Sequence, residues 1–113
     1  MAVSALVLFG MPLDHAAFDQ HFESHYHPLL LQVANVEELV VNRVAGAAKG
    51  DSPFYVVVEL RFASEKAMQE GLNSDAGQAM AEELGRIASG GATVLFAHVS
   101  TESPGTNDRG EAG

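Results

Sequence analysis

The segment Phe54–Phe62, FYVVVELRF, limits more than any other feature how this chain can fold. Its aromatic and β-branched residues predict a strand, yet apolar and polar side chains do not alternate along it. A sheet with one face in water shows such alternation, so both faces of this strand are expected to be buried. Residues 3–9, VSALVLF, have the same character. The fold must therefore cover both faces of one sheet.

Turn and capping signals divide the rest of the chain into further strands and helices. Strands are predicted over residues 3–9, 36–45, 54–62 and 93–99. A helix over residues 15–32 has Asp14 as a suitable N-cap, and Pro28 should kink or break it near Ser24. Further helices, with serine N-caps, are predicted over residues 64–72 and 74–87.

This order of elements is that of the ferredoxin-like fold, an α+β domain with a four-stranded antiparallel sheet and helices on one face. The helices can cover only one face, so the second face needs another subunit, most simply through sheet-on-sheet packing in a twofold homodimer. The alternative is that the helices and the tail cover both faces. One domain is expected over residues 1–100, followed by a polar tail over residues 101–113.

The composition argues against several classes of function. The 113 residues carry a net charge of −9, whereas nucleic acid and anionic membranes attract basic surfaces, so neither is an expected partner. The chain has no cysteine, which removes thiol catalysis and cysteine-ligated metal. GxGxxG, Walker A and Gly-x-Ser-x-Gly motifs are absent, so no cofactor is expected. No apolar run has the length of a membrane span and no signal peptide is recognised, which favours a cytoplasmic protein.

Histidines are concentrated in the first predicted helix. They are His15, His21, His25 and His27, four of the five in the chain. On a helical wheel, His25 falls on the buried stripe that includes Phe18 and Phe22, and His21 falls on its shoulder. His27 falls on the opposite side. His25 is therefore expected to be shielded between helix and sheet, and His27 to face solvent.

Three interpretations of the histidine segment stay open. His21 and His25 have the i, i+4 spacing of two metal ligands, and His98 or Glu59 would have to supply a third. The HExxH motif is missing, so a metal site is not predicted. In the second interpretation His25 is a catalytic or ligand-orienting residue in a pocket. In the third it is a core imidazole hydrogen-bonded to a carboxylate or carbonyl.

Polar residues on the apolar strands are further candidates for a site. Glu59 lies within a strand expected to be buried, so its carboxylate should pair with Arg43 or Arg61. It could instead act as a general base or orient a histidine. A mainly apolar cavity with a few polar groups is the usual form of a small-molecule site. The predicted ligand-binding residues are His21, Asn42, Tyr55 and His98.

Several segments together resemble the EthD family, named after ethyl tert-butyl ether breakdown. LVLFGMPLDHAAFDQHF is similar to the family's first strand, proline turn and FDxxY helix, and HPLL is similar to its HxPL element. VNRV, VVELRF, SDAGQAMAEEL and ASGGATVL follow in the family's order and spacing. The family usually has a histidine two residues before the proline, where this chain has Tyr26. The resemblance implies a dimeric α+β barrel.

The resemblance also implies a small catabolic or tailoring protein that binds a mostly apolar organic compound between helix and sheet. If it is an enzyme, it is expected to be a cofactor-independent oxygenase, isomerase or dehydratase. His25 is then the expected base, and Tyr26, Glu59 or His98 orient the reacting groups. The alternative is a non-catalytic accessory or binding protein for an oxygenase pathway.

Overall fold

The computed structural model describes residues 1–104 and contains the predicted elements in the predicted order. The strands are β1 Val3–Gly10, β2 Glu38–Arg43, β3 Phe54–Phe62 and β4 Ala92–His98. The α-helices are α1 His15–His21, α2 His27–Leu30, α3 Glu65–Leu72 and α4 Asp75–Ile87. Most of the predicted tail, residues 105–113, lies outside the described residues. No helix within residues 1–104 has the length and apolar character needed to cross a membrane.

The four strands form one antiparallel sheet in the order β2-β3-β1-β4. This is the strand order of a ferredoxin-like fold, so the predicted fold class is confirmed. The long, apolar β1 and β3 are the two central strands, and they pair with Val7 opposite Val58. Their lack of alternation places apolar side chains on both faces of the sheet.

The two faces of the sheet have different surroundings. On the first face, β1 and β3 pack against the helices and form the core with Val3, Ala5, Val7, Phe9, Val56, Val58, Leu60 and Phe62. The intervening residues Leu6, Leu8 and Val57 point to the second face and are only half-buried. The helices of the described chain all lie on the first face, so the second face is left without a cover.

The helix after β1 is interrupted by a π-helical segment, Phe22–Tyr26. Here the His27 N–H donates to the carbonyl of Phe22, five residues earlier, instead of four. The prediction of a disruption near Ser24 is confirmed, and its cause is Pro28, which has no N–H for the Ser24 carbonyl. The wider turn changes which residues after Phe22 face the sheet.

This change in helical register overturns the predicted burial of His25. His25 is exposed, whereas Tyr26 is completely buried. His27, expected to face solvent, is half-buried and stacks on Phe22 with the ring planes 10° apart. The helical wheel assumed 100° per residue throughout, and the π-helical segment breaks that regularity.

Phe9 is the centre of an aromatic cluster that joins this helical region to the sheet. Its ring meets those of Phe18, Phe22 and Tyr26 edge-on, at centroid distances of 5.3, 6.2 and 5.5 Å. Such edge-to-face pairs contribute about 0.5–1.5 kcal/mol each beyond the burial of their surface. The cluster therefore holds α1 and the π-helical segment in a defined position over the sheet.

Candidate functional site

A cleft of about 340 Å³ opens between the first helical region and the hairpin formed by β2 and β3. We call it the hairpin cleft. It is lined by Asp19, Glu23, Arg43, Val44, Tyr55 and Val56. Four of these six residues carry polar groups, and the two valines supply an apolar floor. This combination suits a small organic molecule with one polar end.

A β-bulge directs Tyr55 into the hairpin cleft. Phe9 of β1 pairs with Val56, but Gly10 pairs with Phe54, so Tyr55 is an extra residue without a partner on β1. Such a bulge can turn a side chain away from the face that strict alternation would give it. The Tyr55 ring accordingly lies on the helix side of the sheet, 5.4 Å from the ring of Phe18.

The Tyr55 hydroxyl donates a hydrogen bond to the carboxylate of Asp19 and lies 3.0 Å from each of its oxygens. The pKa of Tyr55 is raised above its ordinary value, mainly by partial burial. The hydrogen bond to Asp19 and the negative charge of Asp19 raise it further, and the positive charge of Arg43 offsets only part of this increase. Tyr55 is therefore a neutral proton donor near neutral pH. The His15 ring also contacts the Tyr55 ring, with 4.8 Å between their centroids.

An ion pair between Glu23 and Arg43 forms the opposite wall of the cleft. Both side chains are about half exposed, at 54% and 53%. Exposed pairs of this kind contribute only about 0–1 kcal/mol, so Arg43 can exchange Glu23 for a ligand at little cost. The Arg43 guanidinium also lies 5.4 Å from the centre of the Phe22 ring, which keeps it at the cleft.

His25 does not lie in a pocket between helix and sheet, so that expectation is wrong. Its ring stacks on His21 at 4.8 Å on the outside of the helix, and its Nδ1 lies 2.8 Å from the Ser24 hydroxyl. The place predicted for His25 is taken by Tyr26. The Tyr26 hydroxyl is buried without a hydrogen-bond partner within residues 1–104, and burial raises the pKa of Tyr26.

Glu59 points to the second face of the sheet, away from the histidine segment. It accepts hydrogen bonds from the Ser4 hydroxyl at 2.7 Å and from Arg61 Nε at 2.9 Å. These two hydrogen bonds hold the pKa of Glu59 below its usual value, and the one from Ser4 has the larger effect. The predicted pair with Arg61 is confirmed, whereas Arg43 pairs with Glu23 instead. Glu59 cannot orient a histidine of the first helical region, because the sheet lies between them.

The remaining predicted residues lie apart from one another. Asn42 is on the second face, where its amide nitrogen lies 3.4 Å from the Val57 carbonyl. His98 ends β4, opposite Val3 and far along the sheet from Gly10. Within residues 1–104, no group of three histidine, aspartate or glutamate side chains could hold a metal ion. Neither His98 nor Glu59 therefore completes a ligand set with His21 and His25.

Tyr55 is thus the one predicted ligand-binding residue that lines the hairpin cleft. Asp19 and Glu23, which were not predicted, are equally part of it. Asp19 belongs to the FDxxY-like segment of α1, so its position in that motif was the available signal. Asp19 and Tyr55 are 36 residues apart, and no pattern among neighbouring residues of the sequence indicates that they meet.

Comparison with known proteins identifies the family. A model described as the EthD domain matches residues 11–90. The chain belongs to the EthD family. A curated relative of this EthD protein is the uncharacterized 11.0 kDa protein of the thcB-thcC intergenic region of Rhodococcus erythropolis, 30% identical over 98 residues. The match covers 87% of this chain and 95% of that relative.

Solved structures agree with the fold of this EthD protein. An EthD family protein from Bacillus halodurans superposes with a TM-score of 0.84 at 25% identity, covering 88% of this chain and all of that one. A dimeric ferredoxin-like protein of unknown function from Thermobifida fusca shares the fold, with a TM-score of 0.68 at 10% identity. That match covers 88% of this chain and 92% of the other.

Proposed function

We propose that this EthD protein binds a small, mostly apolar carbonyl compound in the hairpin cleft and transfers a proton on it. The observation that supports the proposal is the Asp19–Tyr55 hydrogen bond inside a cleft of molecular size. It places a proton acceptor and a neutral proton donor side by side. Paired groups with opposite proton roles are what acid–base catalysis on one substrate requires.

In the proposed reaction, Asp19 removes a proton from the carbon next to the carbonyl group. The C–H bond breaks, an O–H bond forms on Asp19, and the electron pair moves onto the carbonyl oxygen. Tyr55 turns its hydrogen bond from Asp19 to that oxygen, and Arg43 offsets its negative charge. Return of the proton to another carbon gives isomerisation, and loss of a leaving group gives dehydration. Oxygenation without a cofactor would require dioxygen to react with the same carbanion.

A hydrogen–deuterium exchange assay tests this proposal without knowledge of the natural substrate. The full chain is incubated in D₂O with 2-indanone, a small apolar ketone with acidic hydrogens next to the carbonyl, and their proton NMR signal is followed. The protein should accelerate the loss of that signal, and Asp19→Asn should slow it by roughly 10²- to 10⁴-fold, the usual contribution of a positioned base. Asp51→Asn, in the exposed turn between β2 and β3, is the matched control.

The same assay separates catalysis from simple binding. If 2-indanone shifts the NMR signals of Tyr55 and Asp19 but exchanges no faster than in buffer, the protein binds without catalysis. That outcome would favour an accessory or binding protein. If neither shifts nor exchange occur with 2-indanone or other small ketones, the hairpin cleft is not a carbonyl site.

We also propose that the protein is a homodimer joined through the second face of the sheet. The half-buried Leu6, Leu8 and Val57 and the exposed Leu95 form an apolar patch on this face, beside the Ser4–Glu59–Arg61 network, and no element of residues 1–104 covers it. Large uncovered apolar surfaces are unusual in monomers. The fold shared with a dimeric ferredoxin-like protein is in keeping with this proposal.

A further inference from the structure

A second cleft, of about 220 Å³, lies between α1 and the C-terminal end of α4. We call it the interhelix cleft. It is lined by Leu13, Asp14, Ala17, Phe18, His21, Arg86, Ile87 and Ser89. It shares no lining residue with the hairpin cleft, but Phe18 connects the two, because its ring also contacts Tyr55. The interhelix cleft therefore contains neither Asp19 nor Tyr55 among its lining residues.

His21, which lines the interhelix cleft, belongs to a histidine–carboxylate pair. His21 Nε2 contacts the carboxylate of Glu83 on α4, and Glu83 also accepts a hydrogen bond from Arg86 at 2.9 Å. The Glu83 side chain is only 14% exposed. The pKa of Glu83 is lowered, mainly by its hydrogen bond with His21 and to a smaller extent by its hydrogen bond with Arg86. Glu83 is therefore a carboxylate at neutral pH.

The contact with Glu83 determines which nitrogen of His21 carries the proton. A ring nitrogen that faces a carboxylate keeps its hydrogen, so in neutral His21 the proton lies on Nε2. The other nitrogen, Nδ1, is then a hydrogen-bond acceptor. A ligand that binds to Nδ1 of neutral His21 must therefore donate a hydrogen bond to it.

The opposite side of the interhelix cleft is apolar. Phe18 and Ile87 are almost completely buried, with 4% and 5% of their surface exposed, and Ala17 lies beside them. An apolar protein cavity of roughly 150 Å³ can hold a benzene molecule. The interhelix cleft is somewhat larger, so it has room for one aromatic ring with a small substituent.

From these features we infer that the interhelix cleft binds small phenols. The aromatic ring packs on Phe18 and Ile87, and the phenol hydroxyl donates its hydrogen bond to Nδ1 of His21. When the proton moves, the phenol O–H bond breaks and an N–H bond forms on His21. The resulting phenolate is stabilised by the imidazolium and by Arg86, which lines the same cleft. No electron is gained or lost, so the step needs no other reactant.

The inference can be tested with 4-nitrophenol, because its phenolate absorbs visible light and its phenol does not. Titration of the full chain into 4-nitrophenol should increase the phenolate fraction in a saturable way and shift the NMR signals of Phe18 and Ile87. His21→Gln should weaken binding roughly tenfold or more, as expected for loss of a charge-assisted hydrogen bond. His98→Gln, which changes an exposed histidine at the far end of β4, should leave it unchanged.

Two further measurements keep the inference open to refutation. Ala17→Phe fills the cleft from an exposed helix position while retaining both His21 and Glu83, and it should abolish binding. Nitrobenzene lacks the hydroxyl and should bind more weakly than 4-nitrophenol. The inference fails if Ala17→Phe binds like the wild type, if nitrobenzene binds equally well, or if only Asp19 and Tyr55 shift.

Discussion

The hydroxyl of Tyr55 on β3 lies 3.0 Å from both carboxylate oxygens of Asp19 on α1. The bond joins two elements that are distant in sequence, and a β-bulge makes it possible. Its counterpart is Tyr26, whose hydroxyl is buried without a partner within residues 1–104. The chain thus contains two tyrosines in opposite situations, and this contrast can be tested directly.

Tyr55→Phe and Tyr26→Phe should change the free energy of unfolding in opposite directions. Tyr55→Phe removes a hydrogen bond and should cost about 1 kcal/mol. Tyr26→Phe removes an unsatisfied buried hydroxyl, whose burial costs about 1–3 kcal/mol, and should stabilise the protein by a similar amount. Chemical denaturation of both variants measures the two changes. A destabilising Tyr26→Phe would show that its hydroxyl has a partner in solution.

Both tyrosines should resist ionisation in alkaline solution. Burial raises the pKa of both residues above the ordinary value of 10.0. Because the unfolded chain loses these protons at lower pH than the folded chain, the stabilisation is complete below about pH 10 and is lost as the pH rises further. The ultraviolet absorbance of tyrosinate should therefore appear only above pH 10, and that of the buried Tyr26 should appear together with unfolding. If one tyrosine titrates at pH 10 in the folded protein, this prediction is wrong. The Tyr55→Phe variant then shows which tyrosine it is, because only Tyr26 is left to titrate.

Glu59 should stabilise the protein at neutral pH but not in acid. Its pKa is lowered below the ordinary 4.5, mainly by hydrogen bonds from Ser4 and Arg61. The stabilisation is thus present above pH 4.5 and is lost as the pH falls through the folded-state pKa. Glu59→Gln should cost about 1–3 kcal/mol at pH 7 and much less at pH 3. Glu38→Gln, which removes the more exposed partner of Arg61, should have a smaller effect.

The second face of the sheet should be the dimer interface. Light scattering at micromolar concentration should give twice the 11.9 kDa chain mass. Leu8→Arg places a charge in the centre of this face and should produce monomers, because an unpaired charge at an apolar interface is costly. Leu31→Arg, at a leucine that is 66% exposed beyond α2, is the matched control and should stay dimeric. A folded wild-type monomer would rule the interface out.

The elements that depend on neighbouring residues were predictable from the sequence. Asp14, Ser64 and Ser74 accept hydrogen bonds from backbone N–H groups three residues later, and each begins the helix expected of it. The bounds of β3, Phe54–Phe62, agree with the prediction. The EthD-like segments correctly indicated the family, whereas the central place of β1 and β3 in the sheet was seen only in the structure.

The candidate site depended on two places where the regular helical or strand register shifts by one residue, and local sequence patterns do not encode such shifts. The π-helical segment places Tyr26 in the core and His25 outside, and the bulge at Tyr55 moves its side chain to the helix side. A one-residue shift in a strand reverses the face to which a side chain points. The sequence by itself determined the fold class, the helix caps and the existence of the four strands, because these follow from nearby hydrogen bonds and apolar patterns. Only the tertiary structure decided that Asp19 meets Tyr55, because that contact depends on how α1 packs over the sheet.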